Sequence, residues 1–223
     1  MNVLITGVGR GIGRALAKKF LSTNYDVTGT YLNSKPDFAS PHLTLHSLDL
    51  SNDESVNACT VKIAKSGKKF DILINNAGAL FDEDDTKVDI NKLRKTLDVN
   101  LIGTINFTES VINHIVDGGH VVNISSRAGS HELEEQVSSH NPYHYPAYRI
   151  SKAALNMYTV TLAQAMQGRN IVVSSIHPGW VKTDMGGQEA DITPEQAAEE
   201  IYKFAIAHPE SGHFWYKGEW LPW

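Results

Sequence analysis

The chain has 223 residues, 41% of them apolar and 20% charged, with 20 Lys+Arg against 25 Asp+Glu for a net charge of -5. That balance excludes a disordered chain and a disulfide scaffold, and one hydrophobic core is the natural solution at this length. A mildly acidic surface also argues against nucleic acid as the main partner.

Val3-Leu4-Ile5 is a short, wholly apolar run, as expected for a strand buried on both faces of a parallel sheet. A helix is predicted from Gly11 to Ser22, with Ile12, Ala15, Leu16 and Phe20 as its apolar stripe. Strands follow at Asp26–Tyr31 and Leu43–Leu48. Ser51 or Asn52 caps a helix running to about Ala64, and Phe70–Ile74 is a fourth buried strand. A long helix is then expected over Ile90–Ile115. A fifth strand, His120–Ile124, comes after a Gly118-Gly119 turn. Pro146 opens a helix ending near Gly168. Ile171–Ile176 is the sixth strand, Pro194–Ala207 the last helix and His213–Tyr216 a seventh strand. Strands alternating with helices of this length predict an α/β fold of one domain, a doubly wound parallel sheet of Rossmann type. The polar, histidine-rich segment from Arg127 to Tyr145 breaks the alternation.

No basic and apolar leader precedes the first strand and no apolar run reaches membrane-span length, so the expected location is the cytoplasm. Cys59 is the only cysteine and reads as a small core residue. His131, His140 and His144 share one loop, but without carboxylates at ligand spacing a metal is not expected.

Four motifs carry chemistry. Thr6-Gly7-Val8-Gly9-Arg10-Gly11-Ile12-Gly13 lies between the first strand and first helix, where glycines let the backbone approach a pyrophosphate at the helix N-terminus. The second strand ends Thr30-Tyr31-Leu32-Asn33, without the carboxylate that an NAD site places there. Asp26 is roughly 17 Å away at the strand's other end. Arg10 could meet a 2′-phosphate, so NADP(H) is favoured over NAD(H), although Leu32 stands where a second basic residue would help. Asn75-Asn76-Ala77-Gly78 closes the fourth strand, where α/β sheets form their ligand crevice. Val121-Val122-Asn123-Ile124 delivers Ser125 and Ser126 to the same edge. Tyr148 and Lys152, four apart on a helix, share a face, and a nearby ammonium is expected to draw the phenol's pKa down toward general acid/base use. Tyr143 and Tyr145 have no lysine at that spacing.

Together these motifs resemble the short-chain dehydrogenase/reductases, in the family's order and over essentially the whole chain. His177-Pro178-Gly179-Trp180-Val181-Lys182-Thr183-Asp184 and the closing Gly218 to Trp223 are similar to the C-factor and sniffer-type carbonyl reductases. The resemblance implies a reductase that transfers hydride from NADP(H) to a small ketone or aldehyde. Tyr148 would be the proton donor, Lys152 would hold the nicotinamide ribose, and Ser126 (with Ser125 as fallback) would bind the substrate oxygen. Asn100 would tie the lysine to a proton-relay water. Gly7, Arg10, Gly11, Ile12, Gly13, Asn76, Ala77 and Gly78 would line the cofactor, Asp49 and Leu50 its adenine end, and Pro178, Gly179, Val181 and Thr183 its nicotinamide end.

Ser126 and Tyr148 stand 22 positions apart, more than is typical of the family, which suggests that the intervening segment walls the substrate mouth. Only ten residues separate Thr183 from Pro194, little for a substrate lid. Pairing into a homodimer through the two long central helices is a further implication. The rival reading is an NADP(H)-binding signalling protein of the C-factor type, which would tolerate loss of Tyr148. A nucleotide-sugar epimerase is not expected, because no residues remain for the C-terminal substrate region that such enzymes use.

Overall fold

The computed structural model describes residues 1–133 and 144–223. One eight-stranded sheet organises the chain: β1 (Asn2–Ile5), β2 (Asp26–Tyr31), β3 (Leu43–Ser47), β4 (Phe70–Asn75), β5 (Ile115–Ile124), β6 (Val172–Ile176), β7 (Phe214–Tyr216) and β8 (Glu219–Leu221). Its order is β3-β2-β1-β4-β5-β6-β7-β8, parallel through β7, with β8 pairing antiparallel. The order reverses between β1 and β4, so a crevice opens beyond their C-terminal ends.

Helices cover both faces, which is why the inner strands read as continuous apolar runs. On one face α1 (Gly11–Ser22) and α6 (Pro194–Ile206) bury Leu16, Phe20, Ile201 and Ala205 against Val3, Ile5 and Ile74. On the other, α2 (Asp53–Lys65), α4 (Thr104–Val111) and α5 (Pro146–Ala165) pack Ile63, Phe107 and Leu162 over Leu4, Leu73 and Val121. Cys59 sits in this second core, 1% exposed, and burial pushes its thiol up to about 11. Caps fix the helix starts. The Asn52 side chain accepts from Ser55 N–H, and Thr193 with Gln196 closes a reciprocal capping box.

The expected long helix over Ile90–Ile115 is interrupted. It runs as α3 (Ile90–Leu97), a π-helical turn over Asp98–Gly103, then α4 and a short 3-10 turn. At Gly103 a Cβ would stand 1.9 Å from the Leu50 carbonyl oxygen, so the widened turn lies where the helix passes closest to the loop after β3. Strand β5 also begins earlier than expected, because Ile115 already pairs with Phe70 and the register shifts before Ile72 meets His120. The hairpin partner β8 was not anticipated; three residues are too few for a periodic signal.

A polar chain crosses the sheet beneath the crevice. Asn75 Nδ2 donates to Thr108 Oγ1 and to Asn123 Oδ1, both at 2.8 Å. Asn123 Nδ2 donates to Thr159 Oγ1 at 2.9 Å, and Thr159 bonds Ser175 at 2.8 Å. All of these groups are buried, and their bonds tie α4 and α5 to the sheet, with Asn75 Oδ1 left without a partner among the described residues.

Candidate active site

Strand ends and helix starts converge on a cleft of about 1110 Å³ at the C-terminal edge of the sheet. Its wall runs from Ile12, behind the glycine loop, past Ser126 and Tyr148 to Pro178, Gly179 and Thr183.

The glycine loop is built for close approach. Gly7 has a φ of 76°, and a Cβ there would lie 3.0 Å from Ala77 Cα. At Gly13 a Cβ would stand 2.2 Å from the Gly7 carbonyl oxygen and 2.4 Å from Asn76 Nδ2. Asn76 is the clip that holds this loop, its Nδ2 donating to the carbonyls of Thr6 at 2.9 Å and Gly7 at 3.2 Å. The start of α1 has no side-chain cap and no acid in its first turn, so its N–H groups and dipole suit an anion. Across the crevice, Thr183 reaches toward Gly11, and the Thr183 hydroxyl and carbonyl hold the following turn through Gly186 and Gly187. Pro178 and Gly179 line the same wall, while Val181 is buried and bridged to Ile192.

Arg10 is engaged rather than waiting: its guanidinium pairs with Asp184 across the crevice. Beyond β2 no acid follows Tyr31 until Asp37, and that carboxylate is held in two bonds by Arg14 at 2.7 and 2.6 Å. Lys35, with its ammonium 5.8 Å from the centre of the Tyr31 ring, is a basic residue near this strand end that motif reading passed over. Asp49 lies at the end of β3 and is tied locally, its Oδ1 accepting from Ser51 N and Oγ. Its neighbour Leu50 is buried.

The structure separates the two serines. Ser125 is 2% exposed and donates to Asn156 Oδ1 at 2.6 Å, a core role. Ser126 lines the cleft, accepts from Ala128 N at 3.2 Å and stands near enough to the Tyr148 phenol to favour its ionised form. Lys152 lies under Tyr148 on α5, its Nζ 5.5 Å from the ring centre and donating to the Ile124 carbonyl at 2.8 Å.

The lysine does not pull the phenol down as the spacing suggested. Burial dominates and pushes Tyr148 up to about 12, with Ser126 offsetting part of the rise. Burial likewise brings Lys152 down to about 8. Both groups are therefore biased toward their neutral forms.

Asn100, carried by the π-helical turn, accepts from Ala79 N at 2.7 Å and donates to Ala79 O at 2.9 Å and Ser151 Oγ at 3.0 Å. Asn100 is thus a brace between the segment after β4 and α5, with no direct bond to Lys152 among the described residues. Gly78 stands between them; a Cβ there would lie 3.4 Å from Asn100 Oδ1 and 3.7 Å from Lys152 Nζ.

Asp82 went unnoticed in the sequence. It is 1% exposed, and its Oδ2 accepts from Ala147 N at 2.6 Å in the first turn of α5. Nothing in its local sequence signals a cap, because the helix it serves begins 64 residues later. Of the irregular segment, Arg127, Ser130, His131, Leu133 and Tyr145 line the cleft. His140 and Tyr143 lie outside the described residues.

The chain is similar to known proteins over most of its length. The sequence model of the short chain dehydrogenase family matches residues 1–194. The chain is 29% identical over 99% of both lengths to a 1-hydroxy-2-glutathionyl-2-methyl-3-butene dehydrogenase of Rhodococcus sp. (strain AD45). It is 32% identical to the C-signal protein of Myxococcus xanthus, over 76% of this chain and 98% of that one. An NADPH-bound carbonyl reductase from chicken fatty liver superposes with a TM-score of 0.88 at 25% identity, over 100% of this chain and 94% of that one.

Proposed function

The chain belongs to the short chain dehydrogenase family, and from that premise we propose that it is an NADP(H)-dependent reductase of ketones or aldehydes. The observation that carries this reading is the placement of Ser126 and Tyr148 at the cleft wall that Ile12 also lines, with buried Lys152 beneath the Tyr148 ring. NADPH-bound carbonyl reductase as a structural relative supports it.

The residues present fit the cofactor. Gly7, Gly11 and Gly13 let the loop fold tightly against Ala77, Thr183 and Asn76, and with Ile12 they set the uncapped start of α1, whose N–H groups suit a pyrophosphate. Arg10 and Lys35, with no free acid at the end of β2, suit a 2′-phosphate. Asp49 and Leu50 flank the adenine end; Asn76, Ala77, Gly78, Pro178, Gly179, Val181 and Thr183 flank the nicotinamide end. Bound NADPH supplies a hydride for the carbonyl carbon.

This chain's own residues supply the rest. Ser126 Oγ donates a hydrogen bond to the substrate oxygen and aligns it with the phenol. Tyr148, held protonated by burial, gives its proton to that oxygen as negative charge develops there. Lys152 uses one N–H on Ile124 and keeps two donors for a ribose hydroxyl, and its ammonium stabilises the phenolate left behind. Asn100 braces the backbone on which both stand. Exposed Ile150 and Met157, seven apart on α5, form the apolar strip that a homodimer would cover.

Spectrophotometric NADPH oxidation across a panel of small ketones and aldehydes, with NADH alongside, tests the assignment. Turnover with NADPH preferred is expected. Binding of neither nucleotide would overturn the cofactor assignment, and NADH preference would overturn the reading of the β2 end. The 32% identity to C-signal favours one second reading, a cofactor-binding signalling protein; tight NADPH binding without turnover anywhere in the panel would shift weight to it.

A further inference from the structure

We propose that His177 and Arg127 together anchor an anionic substituent, a carboxylate, on the carbonyl substrate. The inference rests on the reductase reading and adds a substrate class to it.

Strand register points His177 into the site. Along β6 the side chains alternate: Ser174 Oγ meets His120, whose other ring nitrogen bonds Ala205 of α6, while Ser175 Oγ meets Thr159 of α5. Period two therefore places His177 on the α5 face, the face that carries Tyr148. The strand end is pinned there, His177 N donating to the Trp215 carbonyl at 2.9 Å. The imidazole packs against the Tyr216 ring at 5.0 Å and lines the cleft with Ser126 and Tyr148.

Its Nδ1 is buried and has no hydrogen-bond partner among the described residues. A buried polar nitrogen left unpaired costs stability, and a ligand group that meets it on a small shift of the ring would offset that cost. The local field selects the sign of that group. Arg127 directly follows Ser126, lines the same cleft and is exposed, with no ion pair among the described residues. Burial first, then the charge of Arg127, hold His177 down to about 4, so the imidazole is neutral at pH 7. Glu83 and Asp191 line the cleft as well, but neither offsets the Arg127 charge at His177. A neutral imidazole offering an N–H beside a guanidinium that has no ion pair among the described residues is complementary to an anion and poorly matched to a cation. Leu80, Leu133, Met185 and Leu221 complete the wall with apolar surface, which suits an aryl or alkyl body between carbonyl and carboxylate.

Calorimetric titration with 4-carboxybenzaldehyde and with its uncharged methyl ester, NADP⁺ being present so that neither is reduced, reads the anchor without requiring turnover. The acid is expected to bind roughly tenfold tighter than the ester. Arg127→Gln, a change at an exposed side chain that leaves the core intact, and His177→Phe are each expected to bring the two affinities within about threefold of each other. Equal affinity for acid and ester, no binding of the acid, or a preference that survives Arg127→Gln would overturn the anchor. NADPH oxidation with the same pair is read separately. Selective acid binding without turnover would leave the anchor standing and count against the reductase reading, whereas turnover without acid preference would do the reverse.

Discussion

Arg10 shows that a side chain's place in a motif does not reveal what the fold brings against it. Its position in the glycine loop marks it as a phosphate ligand, but the loop after β6 brings Asp184 onto it from 174 positions away. Both side chains are largely exposed, so the pair contributes little stability, about 0–1 kcal/mol. Its effect falls on the cofactor, because a 2′-phosphate must draw Arg10 from its carboxylate and bind near that negative charge. Asp184→Asn is expected to tighten NADPH binding by roughly threefold to tenfold while leaving NADH nearly unchanged, as fluorescence titration with each nucleotide would reveal. Weaker NADPH binding in the variant would mean that Asp184 positions Arg10 for the phosphate instead of competing for it. The serine pair teaches the complementary lesson. The resemblance put Ser126 first with Ser125 as fallback; both border the cleft, but the Ser125 hydroxyl is already donated to Asn156.

At the scale of elements, strands were legible because burial on both faces leaves unbroken apolar runs, and helices were legible where caps and period agreed. The interruption over Asp98–Gly103 was not, since no Pro or unusual residue marks a π-helical turn, and the close approach of Leu50 to Gly103 that accompanies it is a tertiary contact. Asp82 capping α5 from a distant segment was hidden for the same reason. His120 has a clear consequence for folding. It is fully buried in β5, bonded to Ala205 O and Ser174 Oγ, and burial lowers its pKa to about 4. The unfolded chain therefore takes up a proton below about pH 6.5 that the native chain refuses until about pH 4. Stability present above pH 6.5 should fall as pH drops through that window, by up to about 1.4 kcal/mol per pH unit for one such group. His177, lowered for similar reasons, adds to the slope. The carboxylates with lowered pKa, Asp26, Asp37, Asp89 and Glu199, release their contribution only at lower pH, so the window belongs to the histidines. Urea midpoints measured from pH 7 to pH 4.5 are expected to decline steadily, and less steeply in His120→Gln. A flat profile would show that the imidazole is not held neutral.

For the whole molecule, alternation of strands and helices implied a doubly wound parallel sheet but not its strand order, and it is the order β3-β2-β1-β4-β5-β6-β7-β8 that opens the crevice beyond β1 and β4. What sequence could not supply was electrostatics, because spacing fixes which groups are neighbours but not how much water they lose. Tyr148 and Lys152 are adjacent as expected, yet burial sends the phenol up to about 12 and the ammonium down to about 8. A protonated tyrosine beside a lysine that keeps most of its charge at neutral pH is suited to carbonyl reduction, where the phenol must begin as an acid. The measurement that tests this most directly is NADPH oxidation by Tyr148→Phe beside the unaltered protein, with NADPH affinity recorded for both. Turnover lower by a factor of about 100 or more, with NADPH binding retained, is the predicted result; equal turnover in the two proteins would contradict the assignment of Tyr148 as the acid.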